Sequence, residues 1–249
     1  MSTFIELSSP MLEDEPGVSA TVEVEPEVRS NSSRMKAAPW SPGMFAEEQM
    51  RSLVRQVFLP GWPNPSHQVL FTAVDPETEI TEVCMRVGQT LAEQSAALTC
   101  VVEAEPDTAG LEDTKLHNGF GGSSSQKRFG ALRDSSQQVS DKLWFMPQDV
   151  FMGGNDGRWS AVWLRARLAE LRLEFDYTVL RGPAAATCSE SALLGKLCDG
   201  AVLVLQANST RRVTAQKVKE RLQAANVRLL GAVLSERIFP VPEVIYRRL

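Results

Sequence analysis

Apolar residues recur along this chain with two alternating spacings. Short unbroken runs, such as Gln68-Val69-Leu70-Phe71-Thr72-Ala73, alternate with longer stretches whose apolar positions follow a helical period. The runs predict strands at 68–73, 99–104, 142–147, 176–181, 200–206 and 229–235. The periodic stretches predict helices at 78–94, 159–174, 188–197 and 210–225. Short apolar strands alternating with amphipathic helices imply a mostly parallel sheet with helices on both faces, a single three-layer α/β domain. Right-handed crossovers then gather the strand C-termini at one edge, where ligands normally bind.

An earlier helix is expected from Met44 to Phe58, with Met44, Met50, Leu53, Val54, Val57 and Phe58 on one side. The segment Pro60-Gly61-Trp62-Pro63-Asn64-Pro65 ends it, because neither proline nor glycine continues a helix well. Residues 1–42 are rich in Glu, Ser and Pro and poor in large apolar side chains, so they are expected to form a disordered acidic tail. The domain proper is then 43–249. Within it, the Gly- and Ser-rich stretch from Gly119 to about Ser140 is expected to be a flexible surface insertion. Its Gly-Gly-Ser tract neither follows a strong strand nor opens a helix with a lysine, so it does not qualify as a phosphate cradle.

Composition narrows the function classes. A net charge of −5 argues against a nucleic-acid binder, which needs a basic stripe. No run of about 18 apolar residues is present, so no transmembrane helix is expected. The start, MSTFIELSSPMLEDEPG, lacks the basic opening and apolar stretch of a secretory signal, which favours a cytoplasmic location. The four cysteines, Cys84, Cys100, Cys188 and Cys198, form no CxxC pair and are read as reduced thiols. His67 and His117 are too few and too isolated for a zinc site.

The strand at 68–73 runs into Val74-Asp75-Pro76-Glu77-Thr78-Glu79-Ile80-Thr81 and then into a helix. Strand, short turn and helix is the setting of a phosphate-binding loop. Further on, Leu171-Arg172-Leu173-Glu174-Phe175-Asp176-Tyr177-Thr178-Val179-Leu180-Arg181-Gly182-Pro183 resembles the pattern LRxxFDYVIIDTPP. The stretch from Ser189 to Leu194 with Asp199-Gly200-Ala201-Val202-Leu203-Val204-Leu205 resembles SDAxxLAxxADGVLLVV, and Ser209-Thr210-Arg211-Arg212 with Leu222 to Leu234 resembles a further TRR…LGVVLN segment. These patterns are similar to those of the bacterial tyrosine kinases of capsule and exopolysaccharide synthesis, the CpsD/CapB-like family, P-loop ATPase-type proteins related to MinD and ParA. The resemblance covers about residue 44 to the C-terminus and implies a P-loop NTPase-like fold.

The functional positions that the resemblance implies depart from its pattern. The family's loop reads roughly SAxPGEGKTT. Aligned on Pro76, this chain places Glu77 and Glu79 at the glycines, Ile80 at the lysine, and Thr81 at the Mg-binding hydroxyl residue. A carboxylate about 4 Å from a phosphate charge costs on the order of 4 kcal/mol at an effective dielectric near 20. Cβ atoms at both glycine positions also obstruct the close backbone approach. The family's VLLIDADxRRP becomes Val101-Val102-Glu103-Ala104-Glu105-Pro106. Glu103 and Glu105 are either solvated acids at a strand end or a residual cation site. The Walker B aspartate becomes Arg181, a cation that would compete with Mg²⁺. Arg181 either pairs with these glutamates in an internal network or sits in a site without one.

The family's C-terminal tyrosine cluster is reduced here to Tyr246, with Tyr177 the only other tyrosine. Glu48, Arg51 and Arg55 resemble the family's EExRxLRTNL element, which implies self-association; an intrahelical ion pair is the alternative. The expectation is a non-catalytic regulator or adaptor in exopolysaccharide or capsule synthesis or export, with no cofactor and no metal. Its partner would be a membrane chain-length or export protein, placing it at the inner-membrane periphery. The alternatives are an active or weakly ATP-binding tyrosine kinase using ATP and Mg²⁺, and a MinD/ParA-like positioning or scaffold protein.

Overall fold

The computed structural model describes residues 4–6, 42–59, 66–105, 132–153 and 159–236. Among the described residues eight strands form one sheet: β1 Phe4–Glu6, β2 Gln68–Ala73, β3 Thr99–Glu103, β4 Gln137–Ser140, β5 Leu143–Met146, β6 Tyr177–Gly182, β7 Gly200–Gln206 and β8 Leu229–Ser235. Their spatial order is β1-β8-β7-β2-β6-β3-β5-β4. The six strands from β8 to β5 run parallel, and β1 and β4 join the two edges antiparallel. The helices are α1 Pro42–Val57, α2 Thr81–Ser95, α3 Leu132–Ser135, α4 Gln148–Met152, α5 Ala161–Glu174, α6 Glu190–Leu197 and α7 Arg212–Ala224. The expected mostly parallel α/β sheet is present.

The period of two in β2 separates two cores. Val69, Phe71 and Ala73 pack with Leu53, Val54, Val87 and Leu91 of α1 and α2. Leu70 joins the other face, with Leu164, Leu168 and Leu171 of α5 and Leu222 of α7. Every residue of β2 is buried, as a central strand covered on both faces requires. Met50, Leu53, Val54 and Val57 of α1, with Phe58 just after it, are buried as expected, whereas Met44 lies one turn too early and is 54% exposed.

Three local features depart from the sequence reading. Phe4–Glu6, within the segment expected to lack structure, pairs with β8 at the sheet edge; the rest of 1–41 lies outside the described residues. The insertion was expected to extend to about Ser140, yet 132–135 are helical and 137–140 form β4. All four residues of β4 are exposed, so this edge strand carries no apolar pattern and is held through its backbone pairing with β5. Residues 119–131 lie outside the described residues. Finally, α2 begins at Thr81 rather than 78, because Thr78 N–H donates to the Asp75 carbonyl and closes a turn first.

Residues that carry the resemblance hold the opposite, N-terminal edge of the sheet. Asp199 accepts the backbone N–H groups of His67 and Gln68, each at 2.8 Å, and meets Arg172 Nη2 at 2.5 Å. Asp176 accepts the Leu98 N–H at 2.9 Å. These carboxylates satisfy backbone donors where β2 and β3 begin, so their part is architectural. Gly182 permits a close approach: a Cβ there would stand 2.5 Å from Leu70 Cδ1, so that side chain would have to shift.

Candidate functional site: an ion-paired cleft at the strand ends

Parallel register brings the acids and the arginine together. In the β3–β6 ladder Glu103 stands beside Arg181, and Ala104 N–H donates to the Arg181 carbonyl at 2.8 Å. The residue two beyond Glu103 points the same way along an extended chain, which delivers Glu105 to the same guanidinium. Arg181 Nη1 lies 2.7 Å from Glu105 Oε2 and 3.8 Å from Glu103 Oε1. Its Nη2 lies 3.9 Å from Glu79 Oε1. The Arg181 side chain is 18% exposed, so these interactions are only partly screened by water.

Glu79 also closes the N-terminus of α2. Its Oε1 accepts the Thr81 backbone N–H at 2.7 Å. A helix N-terminus concentrates unpaired N–H groups and positive potential, and a phosphate-binding loop offers these to a phosphate. Here a carboxylate of the chain itself occupies that place. Thr81, through its hydroxyl first and then its backbone N–H, holds the Glu79 carboxyl below its ordinary value, and the charge of Arg181 adds to this against the opposing effect of burial.

The remaining candidates fall into different settings. Ile80, at the position of the family's lysine, is 3% exposed and packs in the core that includes Val83 and Cys84. Glu77 is exposed and does not line the cleft. Thr81 is the first residue of α2. Glu48, Arg51 and Arg55 lie on α1, outside the cleft. Arg51 pairs there with Glu47 and Glu48, both at 3.6 Å, so the intrahelical alternative is realised with an additional partner, Glu47.

A cleft of about 400 Å³ opens over these strand ends. Its walls include Ala73, Ile80, Pro183 and Ala184, and its polar lining includes Thr78, Glu79, Glu105, Gln148, Arg181 and Cys188. Its far wall is fixed to β2, since Ala185 N–H donates to the Ala73 carbonyl and Ala186 N–H to the Val74 carbonyl. The sequence reading missed Thr78, Gln148 and Cys188. Thr78 sat among the emphasised acids, Gln148 belongs to a one-turn helix too short to show a period, and Cys188 reaches the cleft only through the fold. The Cys188 thiol donates to Glu190 at 2.9 Å, and burial pushes it up to about 11, so it is not a thiolate at neutral pH. Among the described residues, no group of three or more His, Cys, Asp or Glu side chains is placed to hold a metal ion.

No family model matches the chain. Over 76 residues it is 29% identical to the tyrosine-protein kinase YwqD of Bacillus subtilis (strain 168), a match covering 30% of this chain and 32% of that protein. Over 62 residues it is 32% identical to the tyrosine-protein kinase CpsD of Streptococcus agalactiae, covering 25% of this chain and 27% of that protein. Among solved structures, the chimerical protein CapA2B2 superposes with a TM-score of 0.55 at 16% identity, over 81% of this chain and 86% of that one. The kinase domain of the Escherichia coli tyrosine kinase ETK superposes with a TM-score of 0.51 at 15% identity, over 79% of each chain. The chain is thus similar, over part of its length, to bacterial tyrosine-protein kinases, and it carries the α/β fold of a bacterial tyrosine kinase domain.

Proposed function

We propose that this chain is a non-catalytic relative of the bacterial tyrosine kinases, acting by contact as a regulator or adaptor in exopolysaccharide or capsule synthesis or export. The observation that carries the reading is the Glu79 carboxylate at the N-terminus of α2, bonded to Thr81 N–H and facing Arg181. A triphosphate placed there would have to displace Glu79 and then meet Glu103 and Glu105. A Mg²⁺ ion would meet the Arg181 guanidinium where the resembling family offers an aspartate. Ile80 supplies no charge in place of the lysine. The same network makes the site self-consistent without ligand, since each charged group at its centre has an opposite partner.

Contact would then fall to surfaces outside the cleft. The exposed charged residues of α1, Arg51 and Arg55 with Glu48, are the proposed surface for self-association or for a membrane-bound chain-length or export protein, which would bring the chain to the inner membrane. Among the described residues no helix is long and apolar enough to cross a membrane. Purified protein assayed with Mg-ATP should give no phosphotyrosine and no phosphate release above background, while removal of the gene should change polymer length or amount. Phosphotyrosine formation abolished by Glu103→Gln would overturn the reading.

A further inference from the structure

The cleft over the strand ends retains binding capacity of a different sign from that of a phosphate site. Three carboxylates, Glu79, Glu103 and Glu105, face a single guanidinium, which leaves two formal negative charges around Arg181. The Glu79 and Glu105 side chains are 65% and 38% exposed, so both carboxylates remain open to solvent beside the oxygens engaged by Thr81 and Arg181. A second, independent feature lies in the wall of the same cleft. Thr78 lines the cleft, is only 6% exposed, and its Oγ1 has no hydrogen-bond partner among the described residues. Buried hydroxyls are rarely left unpaired, and each such case calls for a partner.

We propose that this cleft binds an organic cation, a guanidinium or primary ammonium group on a short alkyl stem, with Glu79 and Glu105 meeting the charge and Thr78 Oγ1 taking a hydrogen bond. The charge excess disfavours an anion. A small dication is disfavoured because Arg181 stands among the carboxylates, and among the described residues no three such groups are placed to hold a metal ion. A guanidinium or ammonium carries several donors and can reach two separate acceptors at once. Ala73, Pro76, Ile80 and Pro183 offer apolar surface for the stem, as the aliphatic parts of lysine and arginine find elsewhere. The volume of about 400 Å³ accommodates a group of that size. The inference rests on the reading of the cleft as closed to nucleotide. The same chemistry is offered by a free small cation and by a basic side chain of a polypeptide.

The test is calorimetric titration of the full chain with agmatine, with a capped tripeptide Gly-Arg-Gly, and with butylurea as an uncharged control, each repeated on Glu105→Gln and Thr78→Val. Saturable binding of agmatine identifies a free cation as sufficient, and saturable binding of the peptide alone identifies a polypeptide side chain; either supports the proposal. Glu105→Gln should weaken binding about tenfold, and Thr78→Val by a smaller factor. Circular dichroism checks that Glu105→Gln is folded; if it is not, the near-isosteric Thr78→Val decides alone. Absence of saturation by both cations, equal binding of butylurea, or unchanged affinity in folded variants would overturn the inference. Mg-ATP titrated alongside separates the two readings. Saturable Mg-ATP binding overturns the proposed function and this inference together, whereas silent Mg-ATP with silent cations removes the inference alone.

Discussion

Arg181 Nη1 and Glu105 Oε2 lie 2.7 Å apart, joining the end of β6 to the chain that leaves β3. The pair stands in a partly buried position and is reinforced by Glu103 at 3.8 Å. Removing the cation leaves the carboxylates facing one another without compensation. Replacement Arg181→Met should therefore destabilise the fold by about 1–3 kcal/mol at neutral pH, the lower part of the range for partly exposed pairs. Urea unfolding measures this. The double variant with Glu105→Gln should lose less than the sum of the single losses, since both remove one interaction. Strict additivity would show that the two residues do not interact.

Glu79 gives a pH-dependent counterpart. Its folded carboxyl is held below its ordinary value of 4.5, chiefly by Thr81 and in smaller part by Arg181. The fold thus favours the ionised form. That stabilisation is present above the ordinary value and is lost as pH falls through the depressed folded value. Glu79→Ala should be less stable than the natural chain at pH 7, and the gap should narrow as pH drops below about 4.5. A gap that stays constant down to pH 3 would show that the charge of Glu79 contributes nothing.

The centre of the sheet was legible in the sequence because its strands are buried on both faces: β2 and β7 begin and end where the apolar runs do, and the half-buried β8 keeps a continuous apolar run as well. β4 was not legible, since an exposed edge strand of Gln, Gln, Val and Ser has no buried side to impose a pattern. At the site, the residue types at 79, 103, 105 and 181 follow from aligning motifs, but the pairing of Glu105 with Arg181 depends on strand register, which no local pattern encodes. Thr78 and Cys188 were missed for the same reason: their importance lies in the space they share, not in their neighbours along the chain.

Asp199 tests the claim that the residues carrying the resemblance are architectural. Its carboxylate accepts two backbone N–H groups and one arginine at the sheet edge opposite the cleft. Asp199→Ala should cost about 1–3 kcal/mol of stability, because donors at the start of β2 lose their acceptor. Binding measured at the cleft in the folded fraction should be unchanged.

Gly182 marks a close approach in the core beneath the site. Gly182→Ala would place Cβ 2.5 Å from Leu70 Cδ1, with the two residues buried in the adjacent central strands β6 and β2. Overpacking of this kind should cost about 1–3 kcal/mol. Shortening the neighbour with Leu70→Val should recover part of the loss, as thermal unfolding of the single and double variants would record.

The central claim is that a carboxylate of the chain itself holds the place of the phosphate. A calorimetric titration with Mg-ATP tests it most directly. The account predicts no saturable heat, and no thermal stabilisation where a ligand at about 100 times its dissociation constant would add roughly 2.7 kcal/mol. Saturable binding that requires magnesium, and that weakens on Glu103→Gln or Glu105→Gln, would contradict it, because those acids would then be serving a metal rather than Arg181.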